Sequence, residues 1–508
     1  MRNLVKLLFQ RVVIVSLCLL FQIGVILLGV RQFSSFFPWY NATVGIGALV
    51  LTMVIVSKEG DPAYKIAWII PILAVPVFGV TLYLMFGGNH QNRRLRKRLR
   101  IMEHTMTDNL RQDAEILDRL EVENSMAATQ AHYLVTKAAC PVYQNTATEY
   151  FSVGDDCYVR MLEDLRKAEH FIYLEYFILD KGKMWDSILK ILQEKAGKGL
   201  DVRVIYDDFG CITRLPAGYR RKLEAMGIRC RVYNPFIPII SPRLNNRDHR
   251  KLMIVDGQFG FTGGINLADE YINVTHPFGH WKDCGIRLEG DAVWSMTVMF
   301  LSMWDHIQRD LREEPLLPIA APLREERGYV QPFTDSPLDN EGVSETVFLN
   351  MISRARKSVY IMTPYLILDS TMRAALCIVA KSGIDVRIIT PGIPDKRYVY
   401  AVTRANYREL LEAGARIYEY TPGFMHSKVV AVDLECAVVG TVNMDFRSLY
   451  LHFEDGVFLY NTESVRQISD DFADTLPLCR SVELRAYQGR KWYVRLVEVC
   501  LRVFAPLM

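Results

Sequence analysis

A phrase that occurs twice constrains this chain more than any other feature. It reads His249-Arg250-Lys251, Asp256, Gly263, Gly264 and Asn266 in one copy, and His426-Ser427-Lys428, Asp433, Gly440, Thr441 and Asn443 in the other. In both, Lys follows His by two residues, Asp follows Lys by five, and Asn follows His by seventeen. Chance does not keep four polar residues in one register twice, so the repeat predicts one site built from two halves.

The flanking sequence is duplicated as well. Ile172-Tyr-Leu-Glu-Tyr176 through Asp180 answers Tyr360 through Tyr365 and Asp369, and Gly199 to Ile205 answers Gly383 to Ile389. Tyr176 and Tyr365 are expected as core aromatics of equivalent strands. Short β-branched runs (Val202 to Tyr206, Lys251 to Val255) alternate with helical stretches (Asp186 to Lys198, Arg220 to Met226). That alternation predicts an α/β sandwich with a largely parallel sheet in each unit. Two such units, 140–315 and 316–508, packed face to face would form one pseudo-symmetric active site at the seam.

The first ninety residues are a different material. Apolar runs at 12–30, 36–56 and 66–86 leave almost no polar face and predict an α-helical transmembrane region over 1–90. The third run carries Pro71 and Pro76, which membrane helices tolerate better than soluble ones. A basic cluster from Arg93 to Arg100 follows at once and predicts a cytoplasmic catalytic region at the cell membrane. Three spans would place Arg2, Lys6 and Arg11 outside, against the same rule, unless one run is re-entrant or interfacial. Residues 91–139 read as that basic cluster and a linker helix between membrane and catalytic body, and Trp492 to Phe504 as a packing or interfacial helix. Ten cysteines without a CxxC or a Cys/His cluster at metal-ligand spacing argue against a disulfide framework and against zinc. A net charge of +3 disfavours a nucleic-acid partner.

Two His, two Lys and two Asn converging, with no acidic cage, suit a phosphate rather than a metal, so no metal or cofactor is expected. Lys251, Lys428, Asn266 and Asn443 would bind its oxygens, with the Gly263-Gly264 and Gly440-Thr441 turns allowing close backbone approach. Gly264 and Thr441 thus join the predicted substrate-binding set. Asp256 and Asp433 complete the two catalytic sets, although their opposite strand parity directs them to the strand end and its hydrogen bonds. One His would attack phosphorus while the other moves the proton. Each imidazole needs a carboxylate to fix its tautomer. Glu454, just beyond the second phrase, is expected to hold His426, and Asp283 to hold His249.

These phrases resemble those of the phospholipase D superfamily. Asn245 to Lys251, Pro422 to Lys428, Asp445-Phe-Arg447-Ser448 and the stretch from Ala67 to Gly87 are similar to the bacterial cardiolipin synthases within it. The likeness runs from about Val44 onward. It implies two tandem phospholipase D-like units and transfer of a phosphatidyl group from one phosphatidylglycerol to a second, giving cardiolipin and glycerol. It also implies a phosphohistidine on His249, with His426 as general acid and base. A membrane phospholipase D releasing phosphatidate would use the same site with water as acceptor. A nuclease would need a basic groove, and a scaffold would have no use for two complete phrases.

Overall fold

The structure is a computed structural model that describes residues 20, 24, 27–29, 31–32, 38–58, 62–87, 93–235, 246–308, 326–339, 341–488 and 491–505. Most of the first apolar run and Asn245 lie outside them.

Two mixed sheets carry the repeat. The first runs, edge to edge, through Thr146–Phe151, Gly285–Gly290, Phe259–Gly263, Lys251–Val255, Phe171–Tyr176, Asp201–Asp207 and Arg229–Tyr233. The second repeats that topology with Tyr329–Asp335, His452–Tyr460, Cys436–Gly440, Val429–Val432, Ser358–Met362, Asp385–Pro391 and Arg416–Tyr420, and adds Cys479–Ser481 at its far edge. The expectation of a largely parallel sheet is corrected. Along the two strand orders above, Phe171–Tyr176, Asp201–Asp207 and Arg229–Tyr233, and their counterparts, pair in parallel, and the other neighbours pair antiparallel. The strand after each His-x-Lys phrase turns back as a hairpin instead. Asp256 and Gly257 in one turn, and Asp433 and Leu434 in the other, all have positive φ, the backbone of a tight hairpin turn.

Alternation along the central strands explains the layering. Ile172, Leu174, Met253 and Val255 enter one core, with the helices Gly154–Lys167 and Lys183–Gly197. Tyr173, Leu252 and Ile254 face the other, against the helix Val293–Gln308. That helix is apolar nearly all round and is buried accordingly. The pairing registers also realign the repeat. Phe171 pairs with Asp201 and Ser358 with Asp385, which makes Thr363, and not Tyr365, the counterpart of Tyr176.

The predicted linker is three helices: Arg93–Asn109, Ala114–Glu123 and Ser125–Ala138. Asn124 ends the second and caps the third by accepting from the amides of Met126 and Ala127. Met102, Met106, Leu110, Leu120 and Leu134 are buried in the same core as the second sheet, so this segment is part of the catalytic body rather than a spacer.

Pro38–Ser57 forms one helix from the second apolar run, with Ile46, Leu49, Val50, Met53, Val54 and Val56 exposed. The third run is two helices, Pro62–Ala74 and Pro76–Phe86, broken at Val75. Pro76 keeps Val75 out of the helical region, and a Cβ on Gly79 would stand 2.2 Å from the Pro71 carbonyl oxygen, so the second helix folds back onto the first. Among the described residues no helix is long and apolar enough to cross a membrane.

Candidate active site

Each histidine is carried to the seam by a short strand that pairs with the opposite unit. Arg247–Asp248 adds in parallel to His452 and Phe453, and the His249 amide then donates to the Phe453 carbonyl at 2.9 Å. Gly423–Met425 adds in parallel to His280–Lys282, and the His426 amide donates to the Lys282 carbonyl at 2.7 Å. The predicted convergence of the two phrases is thus present, and the mutual exchange of strands is what brings it about.

The carboxylate pairing is the reverse of the expected one. Glu454 holds His249, with Nδ1 2.9 Å from each carboxylate oxygen. Asp283 holds His426, with Nδ1 2.6 Å from Oδ2. Each carboxylate sits one residue beyond the carbonyl that takes the histidine's amide, so docking of the short strand and capture of the imidazole are one event. Both carboxylates are fully buried. Two positions of the phrase serve them. A Cβ on Gly264 would stand 1.9 Å from Asp283 Oδ1, and its counterpart Thr441 donates its hydroxyl to Glu454 Oε2. Gly264 and Thr441, expected to bind substrate, therefore act on the orienting carboxylates.

The remaining phrase residues divide into two groups. Lys251 Nζ donates to the His249 carbonyl at 2.7 Å, and Lys428 Nζ likewise to the His426 carbonyl. Lys428 Nζ is also 2.9 Å from His426 Nδ1, but that nitrogen carries the proton shared with Asp283, so this contact is proximity and not a second bond. Asp256 and Asp433 are engaged elsewhere. Asp256 accepts from the amides of Glu169, His170 and Phe171, and Asp433 from those of Arg356, Lys357 and Ser358, all within 2.6–2.9 Å. A five-residue strand separates Asp256 from Lys251, roughly 16 Å, so counting these aspartates as catalytic is corrected: they tie the hairpin turn to the start of the neighbouring strand. Asn266 joins Tyr271 to the Ile178 amide, and Asn443 donates to Ser448. Each amide nitrogen keeps a second hydrogen.

Sequence reasoning missed three groups. His452 packs against His249 with ring centroids 5.6 Å apart, and its place beside His426 is taken by Trp281 at 5.3 Å. Asp455 accepts from the Lys251 amide and the Thr262 hydroxyl. Arg250, fully buried, meets the fully buried Glu175 at 2.6 Å. The available signal for the last was an acid inside the apolar run Ile172 to Tyr176 and a base inside the phrase.

Burial lowers the His249 imidazole to about 3 against the pull of Glu454, and His426 to about 4, with Lys428 adding to the fall and Asp283 opposing it. Burial opposes ionisation of Glu454 and Asp283, yet the facing imidazoles keep both carboxyls below their usual range. The resting site therefore holds two ionised carboxylates and two neutral imidazoles with the proton on Nδ1. That tautomer leaves the lone pair on Nε2. Burial also lowers the Lys251 ammonium to about 8, with Lys428 nearby contributing. Lys251 is charged below that pH and neutral above it, so kcat/KM for an anionic phosphodiester should decline above about pH 8, roughly tenfold per unit for one proton. In Lys251→Arg, whose cation persists, the alkaline limb should move up by at least about one unit. A wild-type profile flat to pH 10 would remove this lysine from phosphate binding.

Two α/β units that share one site of paired His-x-Lys phrases define a phospholipase D-like fold. The phosphatidylserine synthase of Haemophilus influenzae has a similar fold, with a TM-score of 0.54 and 14% identity over 75% of this chain and 97% of that one. Residues 161–276 and 348–476 match the family described as "Cardiolipin synthase, PLD-like domain", and 47–88 match "Phospholipase_D-nuclease N-terminal". Relatives include an uncharacterized protein of Streptococcus mutans, 42% identical over 89% of this chain and 98% of its own length. A cardiolipin synthase of Halalkalibacterium halodurans is 34% identical over 92% and 94%. A cardiolipin synthase 2 of Bacillus anthracis is 34% identical over 91% and 90%. The chain belongs to the cardiolipin synthase family.

Proposed function

We propose that this protein is a phosphatidyltransferase that makes cardiolipin and glycerol from two molecules of phosphatidylglycerol through a phosphohistidine. The observation that carries the reading is the pair of buried neutral imidazoles, each fixed by an ionised carboxylate from the opposite unit, beside two lysines. His249 Nε2 attacks phosphorus and the bond to the glycerol oxygen breaks, with His426 supplying the proton that oxygen takes. The phosphate's negative charge supports the protonated His426 needed for that step. In the second half His426 takes the proton of the acceptor's terminal hydroxyl, the new P–O bond forms, and the N–P bond breaks. Lys251 and Lys428 offset the charge on the equatorial oxygens throughout. The family relationship and its curated cardiolipin synthases support the choice of substrate.

Purified protein in detergent with phosphatidylglycerol alone should yield cardiolipin and glycerol in equal amounts. Phosphatidate as the main product would make water the acceptor and the protein a hydrolase.

The same reading places the protein at the cell membrane as a multi-pass protein with its catalytic body on the cytoplasmic face. The exposed apolar side chains of Pro38–Ser57 and the basic segment that opens the next helical region support it. The fold-back at Val75 supports a re-entrant third segment. A membrane-impermeant thiol reagent should miss a cysteine introduced near His426 in intact cells and label it after lysis; labelling without lysis would put the body outside.

A further inference from the structure

We propose that His249, His452 and Glu454 form a site for one zinc-type divalent cation whose binding silences the enzyme. The inference rests on His249 being the attacking group.

His452 has no assigned work in the transfer. Its side chain is 11% exposed, and neither ring nitrogen has a hydrogen-bond partner among the described residues. A largely enclosed imidazole whose nearest polar neighbour, Glu454, stands beyond hydrogen-bond distance is costly unless something else takes its nitrogens. Its Nδ1 stands 3.7 Å from Glu454 Oε1, and the same oxygen lies 2.9 Å from His249 Nδ1. One atom on each of the three residues lies within 4.8 Å of the others.

Two imidazoles and a carboxylate are a zinc-binding set that leaves a fourth position open. Zinc bonds of about 2.0–2.1 Å in a tetrahedron put ligand atoms about 3.3 Å apart. The His249–Glu454 contact would open slightly to reach that spacing and the His452–Glu454 contact would close slightly. Thr441, donating to Glu454 Oε2, leaves Oε1 to face the two rings.

The pseudo-symmetric half supplies an internal control. Trp281 occupies against His426 the place that His452 occupies against His249, and an indole cannot ligate. Asp283 and His426 therefore lack a third ligand, and the site is confined to the half that carries the nucleophile.

Occupancy has a defined consequence. A cation on His249 Nδ1 displaces the proton there, and the neutral imidazole then carries its proton on Nε2, the atom that must attack phosphorus. The protein is switched off without losing its fold, and a chelator restores it.

The test is calorimetric titration of zinc chloride into chelator-stripped full-length protein in detergent, in parallel with turnover on phosphatidylglycerol. The expected result is one zinc per chain at this site, inhibition that tracks its filling, and full recovery on adding chelator. In His452→Asn the affinity of that site should fall at least tenfold and the inhibition curve should shift with it, each read relative to that variant's own turnover in chelator. Zinc bound equally tightly by His452→Asn, or a filled site with undiminished turnover, would overturn the proposal. Binding heat is read without reference to product, so a hydrolase outcome for the reaction leaves this result interpretable.

Discussion

Alanine at His249 should abolish transfer and leave no covalent intermediate, a loss on the order of 10⁴-fold or more, because it removes the nitrogen that attacks phosphorus while His426 is committed to the leaving oxygen's proton. Alanine at His426 should cost about 10²–10⁴-fold through loss of proton transfer, yet still permit attack when the leaving group needs no proton. A phosphodiester with a phenolate leaving group separates the two. With substrate labelled at phosphorus, His426→Ala should trap label on His249, and His249→Ala should trap none. Label recovered on His426 would exchange the two roles. Each alanine also leaves a fully buried carboxylate, Glu454 or Asp283, without its imidazole, so melting temperatures should fall, and label trapped on His249 in His426→Ala shows that the fold survives.

The repeat made much of this legible. Spacing within the two phrases placed both His-x-Lys pairs on one seam, and the strand Lys251–Val255 appears with the expected bounds. What the sequence could not show is which unit's carboxylate reaches which imidazole. Glu454 follows His426 closely in the chain and is 205 residues from His249, so proximity in sequence favoured the wrong partner. The deciding feature is a short strand, Arg247–Asp248, that leaves its own unit to pair with the other. No periodicity marks such a strand.

Other misses had signals that were present and underweighted. Asp256-Gly257 is a hairpin turn sequence, which contradicts a largely parallel sheet. Pro76 with Gly79 marks a fold-back inside an apolar run whose length matched a membrane span. His452 had no signal of its own, since one histidine beside an acid on a strand is ordinary until its ring is found against a second histidine.

The crossed pairing yields the second large effect. Glutamine at Glu454 and asparagine at Asp283 keep shape and an acceptor for Nδ1–H but remove the charge that stabilises an imidazolium, and each should lower turnover about 10²–10⁴-fold. The two losses should fall on different steps. Glu454→Gln weakens the nucleophile, so with the phenolate-leaving substrate the labelled intermediate should form slowly and never accumulate. Asp283→Asn leaves His249 intact and impairs His426 as the base that activates the acceptor hydroxyl, so label should build up on His249 and persist. Pairing within units, as sequence proximity suggests, would give the opposite pattern, with accumulation in Glu454→Gln and none in Asp283→Asn. Thr441 can still donate to the glutamine oxygen, and the asparagine oxygen can still accept from His426 Nδ1–H, losing the Cys284 amide that the second carboxylate oxygen accepts, so both variants should fold, Asp283→Asn with the lower melting temperature. The measurement thus reads the architecture through kinetics: each half of the repeat carries an imidazole it cannot orient by itself, and the reaction runs only where the two halves exchange their strands.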